Sequence, residues 1–335
     1  MTPPRGRRET RPSRRNRDNL PPEEILSVSY AGALGKVLSA SVKQEPNLLD
    51  KSRLPHRSST IHYTGRPDPK LNDSANALVV LRRLTVLDSS PSNSKARPEE
   101  PVLDWASKHR LGYQDDWAAV VDQRRRHALR ALNTRQRGHR YIRRVELTAE
   151  WRLVTGLGEQ TGAHEFGLSL HGTYGWPLIP GSTLKGAAAA WARHQKVSAE
   201  RYTAVFGTPT TSEDEEDLHG SRCGVRFLDA LPKASREPRH CLRVHSDVIT
   251  PHQHTYHTDS GTEPCTPGEH HQPIPLPFLS LSGTFVADLV GDSSESTEQA
   301  AEWLARACSE NGIGARTTAG YGYLTATSTD NWEEP

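Results

Sequence analysis

Cysteine is scarce and scattered in this chain. The four present, Cys223, Cys241, Cys265 and Cys308, stand far apart and form no CxxC pair. A paired-cysteine motif is therefore excluded, and reduced thiols in a cytoplasm are the expectation. Long apolar runs are missing too. No stretch approaches the roughly 18 apolar residues that would span a bilayer. The opening MTPPRGRRET has no apolar h-region, so no secretory signal is expected. Apolar residues make up only 34% of the 335, and 24% are charged, so part of the chain is expected to lie outside any core. The length suits one large domain or two modest ones. Several catalytic signatures are also absent. There is no GxSxG elbow and no dinucleotide fingerprint. Residues 179–187, IPGSTLKGA, only faintly suggest a phosphate loop, because Lys185 precedes Gly186 and no Ser or Thr follows.

What the chain does hold is arginine, unevenly placed. Residues 1–22 carry seven arginines and almost nothing apolar, which reads as a disordered basic tail, either solvated or in transient contact with RNA. A short helix is expected around Ile25–Leu38, with Pro- and Ser-rich linkers at 44–72 and 88–101. Between the linkers, ANALVVLRRLTVL (75–87) is apolar enough to pack on something. Trp117–Leu132 reads as a helix with Trp117, Val120, Val121, Leu129 and Leu132 on one face. From Arg124 to Arg144 there are nine arginines and no acid, the nearest carboxylates being Asp122 and Glu146. A solvated face normally mixes its charges. Unmixed arginine is what a polyphosphate backbone rewards, through counterion release. The run, with Arg143 and Arg144 at its end, is thus a candidate RNA or DNA contact.

The pattern changes near residue 141. Val145, Leu147, Ala149, Trp151 and Leu153 alternate with polar residues, which predicts a half-buried strand. A helix from Ser182 places Leu184, Ala187, Ala188, Trp191 and Ala192 on one face. Strands follow at Gly224–Leu228 and Leu242–Ile249, and another joins Leu281, Gly283, Phe285, Ala287 and Leu289. Ser296 and Gln299 suggest a capping box for a helix that buries Ala300, Trp303, Leu304, Ala307 and Cys308. Gly312 suits its C′ position, and Tyr321–Thr327 is the last strand. Strand, helix, strands, helix, strand is the α+β, ferredoxin-like (split βαβ) order, with two helices on one face of an antiparallel sheet. Which middle strand is central stays open. The expected division is a basic region at 1–72, a helical extension at 73–140 and a ferredoxin-like domain at 141–328.

Two segments could hold an anion. Gly181, Ser182 and Thr183 open a helix whose first N–H groups are free, and Lys185 sits in that first turn. Lys185 pointing only to water is the alternative. The second segment is GIGARTTAGYGY (312–323). Its Gly312, Gly314, Gly320 and Gly322 let a backbone approach a ligand. Arg316, with Thr317 behind it, offers a forked donor for phosphate, and Tyr321 and Tyr323 are either stacking faces or core. A zinc site at His252, His254, His257, Cys265, His270 and His271 has no recognised spacing, and a polar loop is favoured there. No cofactor is expected. The acidic run Glu213–Asp217 reads as a solvated loop or a contact to a basic partner.

These segments resemble the RAMP superfamily of CRISPR effector proteins. TGLGEQTGAHEFGLSLHGTYGWPLIPGSTLKGA (155–187), DVITPHQHTY (247–256), the Phe278–Leu281 strand start and the glycine loop occur in that family's order. The likeness covers about 141–327, extends weakly to Ala75–Thr85, and is strongest to the sixth-subunit branch of type III-B (Cmr) complexes. It implies a non-catalytic subunit that binds guide RNA and target RNA near the guide 3′ end. It also implies partners among other Cmr-type RAMP subunits: the backbone subunit, a neighbouring head subunit and a small helical subunit. The segment 155–174 has no aspartate such as the family's target-cleaving subunit uses. The alternative it leaves is an endoribonuclease that processes guide precursors with His164 or His171 as general base.

Overall fold

A computed structural model describes residues 61–63, 73–86, 100–133, 140–158, 167–208, 224–250, 273 and 275–329. The basic tail 1–22, the helix expected at 25–38, His164, the acidic run 213–217 and the histidine cluster 252–271 lie outside them.

A short strand at 61–63 pairs in parallel with 84–86. The first helices are Ala77–Arg83 (α1), Glu100–Lys108 (α2) and Asp115–Asn133 (α3). Ala75, Ala77, Val80 and Leu81 are buried, as the apolar run predicts, and share one core cluster with Trp105 and with the strands described next. Helix α3 carries Asp115 and Asp116 in its first turn, where the helix dipole favours acid. Its buried face is the expected one in part: Leu129 is buried and Val121 and Leu132 pack against the core, while the other two expected residues turn out. Trp117 is 64% exposed and Val120 49%, whereas Ala118 and Leu129 are buried. The helix is rotated because Asp122 and Arg125 on its inner row find ionic partners on a sheet.

The remaining elements are strand Tyr141–Ala149 (β1), helices Gly181–His194 (α4) and Ala199–Phe206 (α5), and strands Val225–Phe227 (β2), Leu231–Pro232 (β3), Arg243–Ile249 (β4), Leu276–Ser282 (β5) and Thr284–Gly291 (β6). Helix Ser294–Arg306 (α6) and strand Leu324–Thr329 (β7) close the chain. The main sheet runs β2–β6–β1–β7, all antiparallel, with the short β3 also pairing β6. Strands β4 and β5 form a separate antiparallel pair. The fold is thus mixed α/β with antiparallel sheets.

The single strand expected from Leu281 to Leu289 is two strands. Gly283, at φ +113°, breaks it, and a Cβ there would stand 2.5 Å from the Cys241 carbonyl oxygen. The halves pair with different partners, β5 with β4 and β6 with β1. The cap of α6 also moves: Ser293, not Ser296, accepts from the Ser296 N–H.

The register sets Val145 beside Ala287 and Leu147 beside Phe285, and their shared face packs with Leu184, Trp303 and Leu304 of α4 and α6. Each such buried side chain contributes about 1.5–3 kcal/mol. The alternate residues, Ile142, Arg144, Glu146, Val286, Asp288 and Val290, face the other way. Helix α3 covers that side. Leu129 packs on Ile142 and Val290, and Asp122 and Arg125 reach Arg144 and Asp288. All eight residues of β6 are accordingly buried.

Candidate nucleic-acid interface

The glycine-rich segment 312–322 is a folded loop, not a loose one. A wide turn, Ala307–Asn311, ends the last helix, and Gly312 follows at φ +71°. The loop lies along residues 152–154: the Ala315 N–H donates to the Val154 carbonyl and the Gly322 N–H to the Arg152 carbonyl. Gly314 is required by this approach, and Gly322 by the loop's closure on Ile313. A Cβ would stand 2.3 Å from the Val154 oxygen at Gly314 and 2.0 Å from the Ile313 oxygen at Gly322. Gly320 differs, with open space around it. Arg316 adopts the left-handed conformation (φ +63°), and its guanidinium lies 5.5 Å from the Phe278 ring centre. Thr317 follows in a short helical turn, partly exposed. Tyr321, a candidate either for RNA stacking or for the core, is 9% exposed and belongs to the core.

Beneath the loop sits one carboxylate with three partners. Asp247 accepts from Ser280 Oγ at 2.6 Å, from Tyr321 Oη at 3.1 Å and from the Arg152 guanidinium. Burial would raise its pKa, but these bonds and the Arg152 charge outweigh it and hold the carboxyl below its ordinary value. Asp247 therefore fastens strands β4 and β5, the end of β1 and the glycine loop at a single charged point.

The second predicted segment is closed differently. Asp229 Oδ1 accepts the Gly181 N–H at 2.7 Å, so a carboxylate already occupies that donor of the helix start. Gly181 is buried against the Phe227 carbonyl, and Lys185 Nζ donates to the Phe206 carbonyl at the end of α5. Ser182 is exposed and Thr183 partly so. The sequence missed Asp229, which is distant in the chain and comes to the helix through the bridge between Ile179 and Ala230.

The arginine run is unmixed in sequence and mixed in space. Arg126 pairs with Asp122, Arg140 with Asp292 and Arg143 with Glu298. Ser294 and Arg143 hold Glu298 below its ordinary carboxyl pKa. Arg144 is removed from the surface altogether. It is 2% exposed and donates from Nε and Nη2 to Asp288 at 2.8 and 3.1 Å, and from Nη1 to Asp122. Burial alone would disfavour its charge; Asp288 and Asp122 more than restore it and raise its pKa. Arg125 Nε lies 2.5 Å from Asp288, an ion contact without hydrogen-bond alignment.

A family model described as the RAMP superfamily matches residues 146–325, more than half of the chain. The chain belongs to the RAMP superfamily. A curated relative, CRISPR system Cmr subunit Cmr6 from Pyrococcus furiosus, is 25% identical over 221 residues, 52% of this chain. The chain spans 64% of that relative's length. A chain in the cryo-EM structure of the type III-B Cmr-beta bound to cognate target RNA superposes with TM-score 0.52 and 21% identity, covering 68% of this chain and 71% of the other. That likeness is one of fold.

Within this RAMP chain the histidine proposed for catalysis is built into a turn. His171 Nδ1 accepts from the Thr173 and Tyr174 N–H groups, and its ring stacks on Tyr174 at 4.6 Å. Burial lowers its pKa. The thiols described are equally committed: Cys241 Sγ donates to the Ser235 carbonyl, and burial pushes the Cys308 thiol up to about 12. Among the described residues no cluster could hold a metal, and no helix is long and apolar enough to cross a membrane.

Proposed function

We propose that this RAMP protein is a non-catalytic, RNA-binding subunit of a type III-B CRISPR-Cas (Cmr) interference complex. It would stand near the 3′ end of the guide RNA and touch the guide–target duplex. The observation that carries this reading is the glycine loop laid on residues 152–154, with Gly320 in open space and the half-exposed Arg316 beside it. Such a loop offers backbone and guanidinium to a phosphate chain at close range. The likeness to Cmr6 supports the same assignment. The sheet order β7–β1–β6–β2 is read as ferredoxin-like. We divide the chain at 1–72, 73–140 and 141–328, and take the cytoplasm as its compartment.

On this reading Arg316, Thr317, Ser182 and Thr183 remain candidates for phosphate contact. Lys185 and Gly181 shape the helix that carries the last two. Arg143, balanced by its pair with Glu298, adds little to that contact. His171, committed through Nδ1, serves the turn. Guide pairing would read the target sequence, so the protein's own sequence preference should be weak. Co-purification from a cell holding the other subunits tests the assignment. The expected result is a guide RNA and backbone, head and small helical partners on the tagged chain. Cutting of repeat RNA by the purified chain, lost in His171→Ala or His164→Ala, would favour the endoribonuclease instead.

A further inference from the structure

Period-two alternation places Trp151 inside the sheet with Ala149 and Leu153. The structure turns it out. Strand β1 stops at Ala149, a bend follows, and Leu153 returns to the core through its bridge to Leu281. Trp151 is left 51% exposed, whereas Leu153 is fully buried. An exposed indole held at a fixed place is uncommon enough to ask what it faces.

Its support is built. The Tyr321 ring packs on it at 4.8 Å, and Phe278 meets Tyr321 edge-on at 5.8 Å. The Arg152 guanidinium lies 5.1 Å from the indole, and Arg316 lies over Phe278 at the far end of the row. The row thus reads Arg152, Trp151, Tyr321, Phe278, Arg316. Tyr321 and Phe278 are buried; of the three rings only Trp151 opens to solvent. Asp247 locks the row by binding both Arg152 and the Tyr321 hydroxyl. A rigid aromatic between two guanidinia, beside a glycine loop, suits a ligand with a flat π face and a chain of negative charge. An unpaired nucleotide of RNA has both.

We propose that Trp151 is a stacking platform for an unpaired nucleobase, with Arg316 at the far end of the row on the phosphate side and Arg152, paired with Asp247, holding the indole in place. The proposal rests on the RNA-binding reading above and adds a base contact to it. Stacking is indifferent to base identity, because every base has a π face, so the site would leave sequence reading to the guide.

The test uses the full chain with a short oligouridylate and with an abasic ribose-phosphate strand of the same length, each at low and moderate salt. Trp151→Ala is expected to weaken oligouridylate binding about tenfold. Trp151→Phe should recover most of that loss, the abasic strand should bind both variants like the parent, and the salt slope should stay unchanged. Trp151→Leu, which keeps apolar cover over Tyr321, stands in if the alanine variant unfolds, and it should bind as weakly as alanine would. Equal binding of oligouridylate by parent and Trp151→Ala overturns the platform alone. So does Trp151→Leu binding like Trp151→Phe, or equal losses on both strands. Trp151→Ala that binds RNA normally but no longer joins the other subunits assigns the indole to a protein contact and also overturns it. A parent chain that binds neither strand brings down the RNA-binding reading itself.

Discussion

Asp288 is completely buried and faces two guanidinia, Arg144 on its own sheet and Arg125 from helix α3. Removing it would leave buried Arg144 with Asp122 alone and Arg125 without a carboxylate. Asp288→Ala is therefore expected to cost about 3–5 kcal/mol of folding stability, read by urea denaturation. A loss below about 1 kcal/mol would mean that the cluster is hydrated. Asp247 makes a different prediction, because its folded pKa is depressed. A carboxyl of this kind stabilises fully above its unfolded pKa, about 4, and loses that contribution as pH falls through the folded value. Asp247→Asn should lower stability by about 2 kcal/mol at neutral pH, since hydrogen bonds to a charged acceptor are lost. The gap between parent and variant should narrow only below about pH 4 in thermal melts. A gap that is constant down to acid pH would show that the bonds matter without the charge.

At the level of elements, the glycine loop yields a graded comparison. Gly320→Ala places a Cβ in open space at φ +87°, so it carries only left-handed strain, about 1 kcal/mol. Gly322→Ala adds a collision with the Ile313 carbonyl at 2.0 Å. It should cost clearly more than the first, and hydrogen exchange at Ala315 and Gly322 should rise. Equal costs would mean that the Ile313 carbonyl moves aside without loss. The sequence made the loop, the helices at 181–194 and 294–306 and the alternating face of β1 legible, because glycine content and apolar period are local signals. It did not show where alternation stops. Trp151 continues the period but lies past the bend, and Gly283 divides what period alone joins. Nor did it show the rotation of α3, whose inner row is charged and is satisfied only by Asp288 and Arg144, residues brought near by the fold. Local pattern rewards apolar residues, so a helix docked partly through ions is read with its face shifted toward Trp117 and Val120.

For the whole molecule, the arginine run is a question about the field it projects. Nine like charges over 124–144 suggest a broad basic surface, yet Asp122, Asp288, Asp292 and Glu298 pair with five of them and offset four charges. Each cation that displaces a counterion from single-stranded RNA contributes about 0.7 to the slope of log affinity against log salt. A guanidinium already paired with a carboxylate displaces little, because its charge is balanced before RNA arrives. The double variant Arg140→Gln, Arg143→Gln should therefore leave the slope unchanged within error, whereas Arg316→Ala should reduce its magnitude by about 0.7. Both are read from fluorescence-anisotropy titrations of one labelled RNA over a salt series. A reduction above about 1 in the double variant would reverse the conclusion. The pairs to Asp292 and Glu298 would then open on binding, and the run would act as a surface switched on by the RNA, with those two acids as its resting partners.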